Sequence, residues 1–131
     1  MTKYAGLGLT FTLDNSGGSG QAITNDVGTF TIDTPTGEQD VTGLDKSAIE
    51  RLQLLTDCTI TVGGNGFPSS TTMGCFTNRA NSRTLVIGLP NSVTATVEVF
   101  IFGFKISRGQ DGGITWEATL KLNNGTALAY S

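Results

Sequence analysis

Along most of the chain, apolar and polar residues alternate with a period of two. Leu7, Leu9, Phe11 and Leu13 alternate with Gly8, Thr10, Thr12 and Asp14, which predicts a strand with one buried and one wet face. After the turn residues of DNSGGSGQ, the stretches QAITN and GTFTID (Gly28 to Asp33) predict two more strands, and TPTGEQD breaks the pattern. CTITV (Cys58 to Val62) and TLVIGL (Thr84 to Leu89) predict strands separated by a loop GGNGFPSST, a short segment TMGCF and a polar turn NRANSR. Pro68 and Pro90 punctuate them. The longest run, Val93 to Ile106, places Val93, Ala95, Val97 and Val99 on one face and Thr94, Thr96 and Glu98 on the other. Its second half, FIFGFK, is apolar on both faces and so predicts cover on two sides, from this chain or from a neighbour. RGQDGG carries a hairpin signal. Ile114 to Leu122 then alternates Ile114, Trp116, Ala118 and Leu120 with Thr115, Glu117, Thr119 and Lys121.

One segment departs from this period. Between Gly43 and Leu55, the residues Leu44, Ala48, Ile49, Leu52 and Leu55 fall on one stripe at helical spacing, with Asp45, Lys46, Glu50, Arg51 and Gln53 mostly away from it. This predicts a helix, capped either by Thr42 with Asp45 three residues on, or by Asp45 with Leu44 stapled onto Ile49. So short a helix is marginal alone, so its stripe is expected to pack across an open sheet face or sheet end. The expected fold class is mainly β, a sandwich or barrel-like sheet with one flanking α-helix at about Gly43 to Leu55.

Length and composition narrow the picture. A chain of 131 residues suits a single domain, 1–131, around one core, and its 18 glycines suit a β protein with many turns. The net charge is −3, and the eight basic residues are scattered along the chain, so no footprint for tight nucleic-acid binding is present. No apolar run reaches signal-peptide or membrane-spanning length, which predicts synthesis in the cytosol and no membrane partner. Cys58 and Cys75 are too far apart for a CxxC site and have no histidine to complete a metal set. They are expected to be two small, reduced core residues.

Candidate chemistry is sparse. The absence of histidine removes the commonest general base, most zinc sites and every Ser-His triad. GLGLTF and VGGNGFP match neither GxGxxG nor GxxxxGK[ST]. Asp14, Asn15, Asp26 and Asp40 lack calcium-loop spacing, and the NGT at Asn124 reads as chance without a signal peptide. No catalytic residue, cofactor or metal is expected, which leaves a binding module or a building block.

VTGLDKSAIERLQLL (Val41 to Leu55) and ISRGQDGGITWEATLKLNNGTA (Ile106 to Ala127) resemble signatures of the major tail tube proteins of long-tailed bacteriophages, especially phages of actinobacteria. CTITVGGNGFPSSTTMGCF between them resembles the family's strand, loop and strand after the helix. The resemblance implies a tail tube fold, a homohexameric ring, and self-assembly of stacked rings into the inner tube of a virion tail, through which double-stranded DNA passes without specific binding during ejection. It also implies assembly in the host cytoplasm and contacts with tape measure, tail terminator and tail-tip proteins. DNSGGSGQ, TPTGEQDVTG and GGNGFPSST are candidates for the extended loop that commonly bridges rings in that family, and the termini are another candidate for the ring-stacking contact.

If six subunits each give four strands, 24 strands about 4.8 Å apart and tilted by about 40° describe a circle of roughly 24 Å radius. Removing about 6 Å for side chains leaves room for duplex DNA. A neutral or acidic wall would let DNA slide. The faces carrying Thr94, Thr96 and Glu98, and Thr115, Glu117 and Thr119, are therefore expected to line or approach the channel. The alternatives are another virion tail or head-tail completion protein, or a β-sandwich ligand-binding module. The last would present exposed aromatics on a flat face or in a cleft, whereas Trp116 sits on the apolar face of its strand.

Overall fold

The alternating segments do form strands, and so does Thr36–Asp40, within the TPTGEQD expected to break the pattern. In the computed structural model, which describes residues 8–15, 17–77, 81–123 and 128–130, they are β1 (Thr10–Asp14), β2 (Gly20–Ala22), β3 (Thr29–Asp33), β4 (Thr36–Asp40), β5 (Arg51–Thr56), β6 (Thr59–Asn65), β7 (Arg83–Gly88), β8 (Thr94–Arg108), β9 (Ile114–Leu122) and β10 (Ala129–Tyr130). Leu7, Arg79 and Asn124 lie outside the described residues. Eight strands form one antiparallel sheet in the order β2-β1-β7-β8-β9-β6-β3, with β10 against β8. A two-residue turn at Asn91 and Ser92, both at positive φ near 60°, joins β7 to β8, the backbone twist that suits a tight hairpin.

The sheet is rolled so that its apolar face closes on itself. Phe11 of β1 and Phe30 of β3, near opposite ends of the strand order, have ring centroids 6.1 Å apart. Leu13, Ile60, Val62, Leu85, Val99 and Leu120 are buried between the two halves. Trp116 is buried too, packed on Phe76 and Phe104, so it offers no platform to a ligand. Cys58 and Cys75 are free and buried, as expected; burial pushes both thiols up, that of Cys75 to about 11.

The helix is not where the periodicity puts it. Gly43 to Leu55 contains no helix; its second half is β5, and β4 and β5 form a separate two-stranded sheet. Leu44, Ala48, Ile49, Leu52 and Leu55 therefore pack no helix against the sheet, and all five are exposed. The physical reason lies in local competition. The Thr42 hydroxyl donates to Asp40 Oδ1 (2.6 Å) and accepts from the Glu50 N–H (2.8 Å), and the Val41 N–H donates to the Glu50 carbonyl (3.0 Å). These bonds close a ten-residue loop and deliver Arg51 in register with Asp40. Leu52 and Leu54 also alternate with Arg51 and Gln53, so the sequence supports a strand as well as a stripe. Only the 3.4 Å Lys46–Glu50 ion pair retains the i,i+4 spacing.

The one α-helix among the described residues, α1 (Ser70–Cys75), falls where a loop and a short segment were predicted. Ser69 caps it, its side chain accepting from the Thr72 N–H. At six residues it is too short to display a period. β6 likewise runs on through Gly63 and Gly64, which the sequence reading placed in the loop. A Cβ on Gly64 would stand 2.0 Å from the Asp26 carbonyl oxygen, so only glycine lets the 24–28 turn cross β6 this closely.

Candidate assembly surfaces

Three features of the surface carry information: a polar sheet face, a protruding arm and an open strand edge.

The polar face comes from the pleat. Residues opposite one another in the ladders point the same way, so Thr29 and Thr31 of β3, Thr61 of β6, Thr115, Glu117 and Thr119 of β9, and Lys105 and Ser107 of β8 share one face. A depression of about 400 Å³ runs over this face between Thr29, Thr61, Lys105 and Glu117. Its floor is Gly63, whose Cβ would stand 2.9 Å from the Trp116 carbonyl oxygen. Thr94, Thr96 and Glu98 also point away from the core, opposite Gly88, Val86 and Thr84 of β7. The two predicted triads are thus both on the sheet's outer surface, but on different halves of it. A register shift between Ile101 and Gly103 separates them, and the sheet rolls between its β7 side and its β3 side. Glu98 accepts from the hydroxyls of Ser82 and Thr84, and the Asn123 N–H donates to its carbonyl (3.2 Å).

The arm is β4, β5 and the loop between them. It continues the β3–β6 hairpin outward: Asp33 opposite Thr59 is followed, past Thr34 and Pro35, by Thr36 opposite Thr56. The Asp57 N–H donates to the Pro35 carbonyl (2.8 Å) at the junction. Every residue of both its strands is exposed. Val41, Leu44, Ile49, Leu52, Leu54 and Leu55 are six of the ten large apolar residues the described surface exposes, Leu55 to 91%. Solvated apolar side chains gathered on one projection mark an interaction surface. Its hydrogen bonds to Thr42 hold the Asp40 carboxyl below the ordinary carboxylate range.

The open edge belongs to β8. On the β7 side, pairing covers only Thr94 to Val99, whereas β9 pairs from Val99 to Arg108 on the other side. From Phe100 onward the strand has no described neighbour on its β7 side. The apolar doubling of FIFGFK is explained only in part by this chain: Phe104 stacks on Phe76 at 4.7 Å, but Phe102 stays 60% exposed, edge-on to Phe100, with Lys121 Nζ 5.7 Å from its ring.

Two further clusters hold the frame. Arg83, fully buried, donates through Nη1 to the carbonyls of Asp14 (3.0 Å) and Cys75 and through Nη2 to that of Thr77 (2.6 Å), tying β1 to the end of α1. The sequence gives no signal for this, because its acceptors are main-chain groups. Asp26 accepts from the Thr72 hydroxyl, the Ser69 hydroxyl (2.7 Å) and the Ser69 N–H (3.1 Å), which together hold its carboxyl below the usual range. A depressed folded-state pKa contributes stability above the unfolded value near 3.8 that is lost as pH falls through the lower folded value. Asp26→Asn is therefore expected to lower Tm relative to wild type by a constant amount between pH 5 and pH 7, with the gap closing below about pH 3.8. Thermal melts across that range check it. Among the described residues, no three metal-ligating side chains come together, and no helix is long and apolar enough to cross a membrane.

No protein-family model matches the sequence, and no curated protein matches it. Solved structures do match the fold. A chain from the tail of an empty gene transfer agent particle, determined by helical refinement with C6 symmetry, superposes with a TM-score of 0.78 at 18% identity, covering 98% of this chain and 99% of that one. A chain of the native gene transfer agent virion gives 0.78 at 16% identity, with coverage of 98% and 99%. A chain of the six-fold symmetrised baseplate of an anti-feeding prophage gives 0.67 at 10% identity, with coverage of 100% and 97%. The mainly-β fold with one short flanking helix is thus that of tail and baseplate chains.

Proposed function

We propose that the chain is the structural subunit of a phage-type tail tube, six copies closing into a ring and rings stacking into a conduit for DNA. The observation that carries this reading is the four-strand block β8-β9-β6-β3, which has an open edge at each end and a polar outer face rich in threonine. Four strands per copy is what the 24-stranded barrel requires, and an open edge on a soluble protein asks for a partner. Agreement in fold, nearly end to end, with a tail chain of C6 symmetry supports the same reading.

The same reading separates the two triads. The outer face of the block carries Thr115, Glu117 and Thr119, so these are assigned to the channel wall, with Thr29, Thr31 and Thr61 beside them. Thr94, Thr96 and Glu98 lie beyond the register shift, on the half backed by β7 and β1, and are assigned to the outside of the tube. Hydroxyls and mixed charges on the wall offer sliding DNA no continuous phosphate-binding surface. The arm, with its solvated leucines, is assigned to contacts between copies. Tape measure, terminator and tip proteins would meet the two ends of the stack.

Negative-stain electron microscopy of the purified protein over a range of concentrations tests the proposal. Six-fold rings or hollow tubes with a DNA-wide opening are expected; particles that remain single copies at every concentration, with and without added tail-tip complex, would overturn it.

A further inference from the structure

Resting on that reading, we infer that the ring closes by one specific antiparallel pairing: the free edge of β3 in one copy against the Phe100–Arg108 edge of β8 in the next, with Asp33 opposite Lys105. Successive strands of the block are antiparallel, so β3 runs opposite to β8 within each copy. Rotation about a ring axis preserves strand direction relative to that axis, so β3 meets the neighbour's β8 antiparallel. An even number of strands per copy keeps that alternation unbroken around the ring. The contact joins two different edges, which is the head-to-tail type that generates rings.

Charge sets the register. Among the described residues, the only ion pairs are Lys46–Glu50 and Arg51–Glu38, both in the arm; Lys105 lies opposite Glu117 in the ladder without closing an ion pair with it, and Asp33 lies opposite Thr59, so each edge brings a charge that a partner across the contact can pair. Both are exposed and both point to the polar face. Placing them opposite one another gains a cross-strand pair of opposite charge. It also sets Thr31 opposite Ser107 on the wall and Ile32 opposite Ile106 on the core side, where Ile106 is otherwise 40% exposed. Further along, Phe102 falls beside Thr36, so the neighbour's arm begins where this chain leaves an aromatic ring uncovered.

Residues directly opposite in an antiparallel pair have Cα atoms about 4.5–5.5 Å apart, within disulfide range. The double variant Thr31→Cys/Ser107→Cys, oxidised and run without reductant, is expected to give a ladder of covalent multimers, while either single variant gives none beyond dimer. Both positions are exposed, so folding is expected to be unaffected. Separately, Asp33→Lys is expected to reduce the assembled fraction by about tenfold, and Asp33→Lys/Lys105→Asp to restore it. Rings in the microscope without a ladder and without charge-swap rescue would overturn the pairing and leave the tube reading standing. Absence of any assembly, wild type included, would overturn both.

Discussion

Replacing Thr36–Thr56 by a short Gly-Ser linker is expected to abolish rings and tubes while leaving the melting temperature of the remaining sheet within a few degrees of wild type. The arm's two strands pair with each other, and all their residues are exposed, so its removal takes no residue from the core. Its cost would fall on assembly. Six large apolar side chains stand in water in the isolated chain, and covering each contributes about 1 kcal/mol or more. A loss on the order of 5 kcal/mol weakens each contact by a factor of several thousand. Analytical ultracentrifugation beside thermal melts separates the two effects. A milder version, Leu52→Ser/Leu54→Ser/Leu55→Ser, is expected to move assembly in the same direction. If the arm-deleted protein unfolds, or still forms tubes, the assignment of the arm to contacts between copies is wrong.

Arg83→Met is expected to act in the opposite way, on folding before assembly. Methionine matches the apolar stem but cannot donate, and three carbonyls, those of Asp14, Cys75 and Thr77, lose their partner around a fully buried side chain. Hydrogen bonds from a charged donor contribute about 1.5–3 kcal/mol each, and the effects overlap, so a total near 3–5 kcal/mol is expected. For a chain of this size that corresponds to a fall in Tm of about 10–20 °C. Lysine at the same position restores the charge without the fork that reaches three acceptors, so Arg83→Lys is expected to recover less than half of the loss. A shift of only one or two degrees would mean that water replaces the guanidinium at little cost.

The two substitutions separate what holds one copy together from what joins copies. The Arg83 cluster and the Asp26 clamp both fasten α1, one at each end, to the rolled sheet. Neither lies on the polar face of the block. The surfaces assigned to assembly have the reverse character: the arm exposes apolar side chains, and the β8 edge carries strand backbone with no described neighbour beyond Val99.

How much of this the chain announces depends on the range of the forces involved. Alternation is written residue by residue, because burying one face of a pleat needs every second side chain to be apolar. For that reason β1, β7, β8 and β9 lie within a few residues of their predicted places, and Trp116 faces the core as read. The pattern of Thr115, Glu117 and Thr119 opposite Trp116, Ala118 and Leu120 likewise fixed which side of β9 is wet. The stripe from Leu44 to Leu55 was misleading for a related reason. Its apolar residues do recur at helical spacing, but periodicity alone does not say whether such a stripe is covered by the same chain, and here it is left exposed. In the fold, side-chain bonds from Thr42 and Asp40 close a loop, and the leucines remain in water. What the tertiary structure alone decided is whatever depends on closure at long range: the rolling that brings Phe11 to Phe30, the guanidinium of Arg83 on three distant carbonyls, and the edge of β8 that, among the described residues, has no neighbour beyond Val99, where its pairing with β7 stops. Such features follow from where strands stop and how a sheet bends, and no local alternation of apolar and polar residues encodes either.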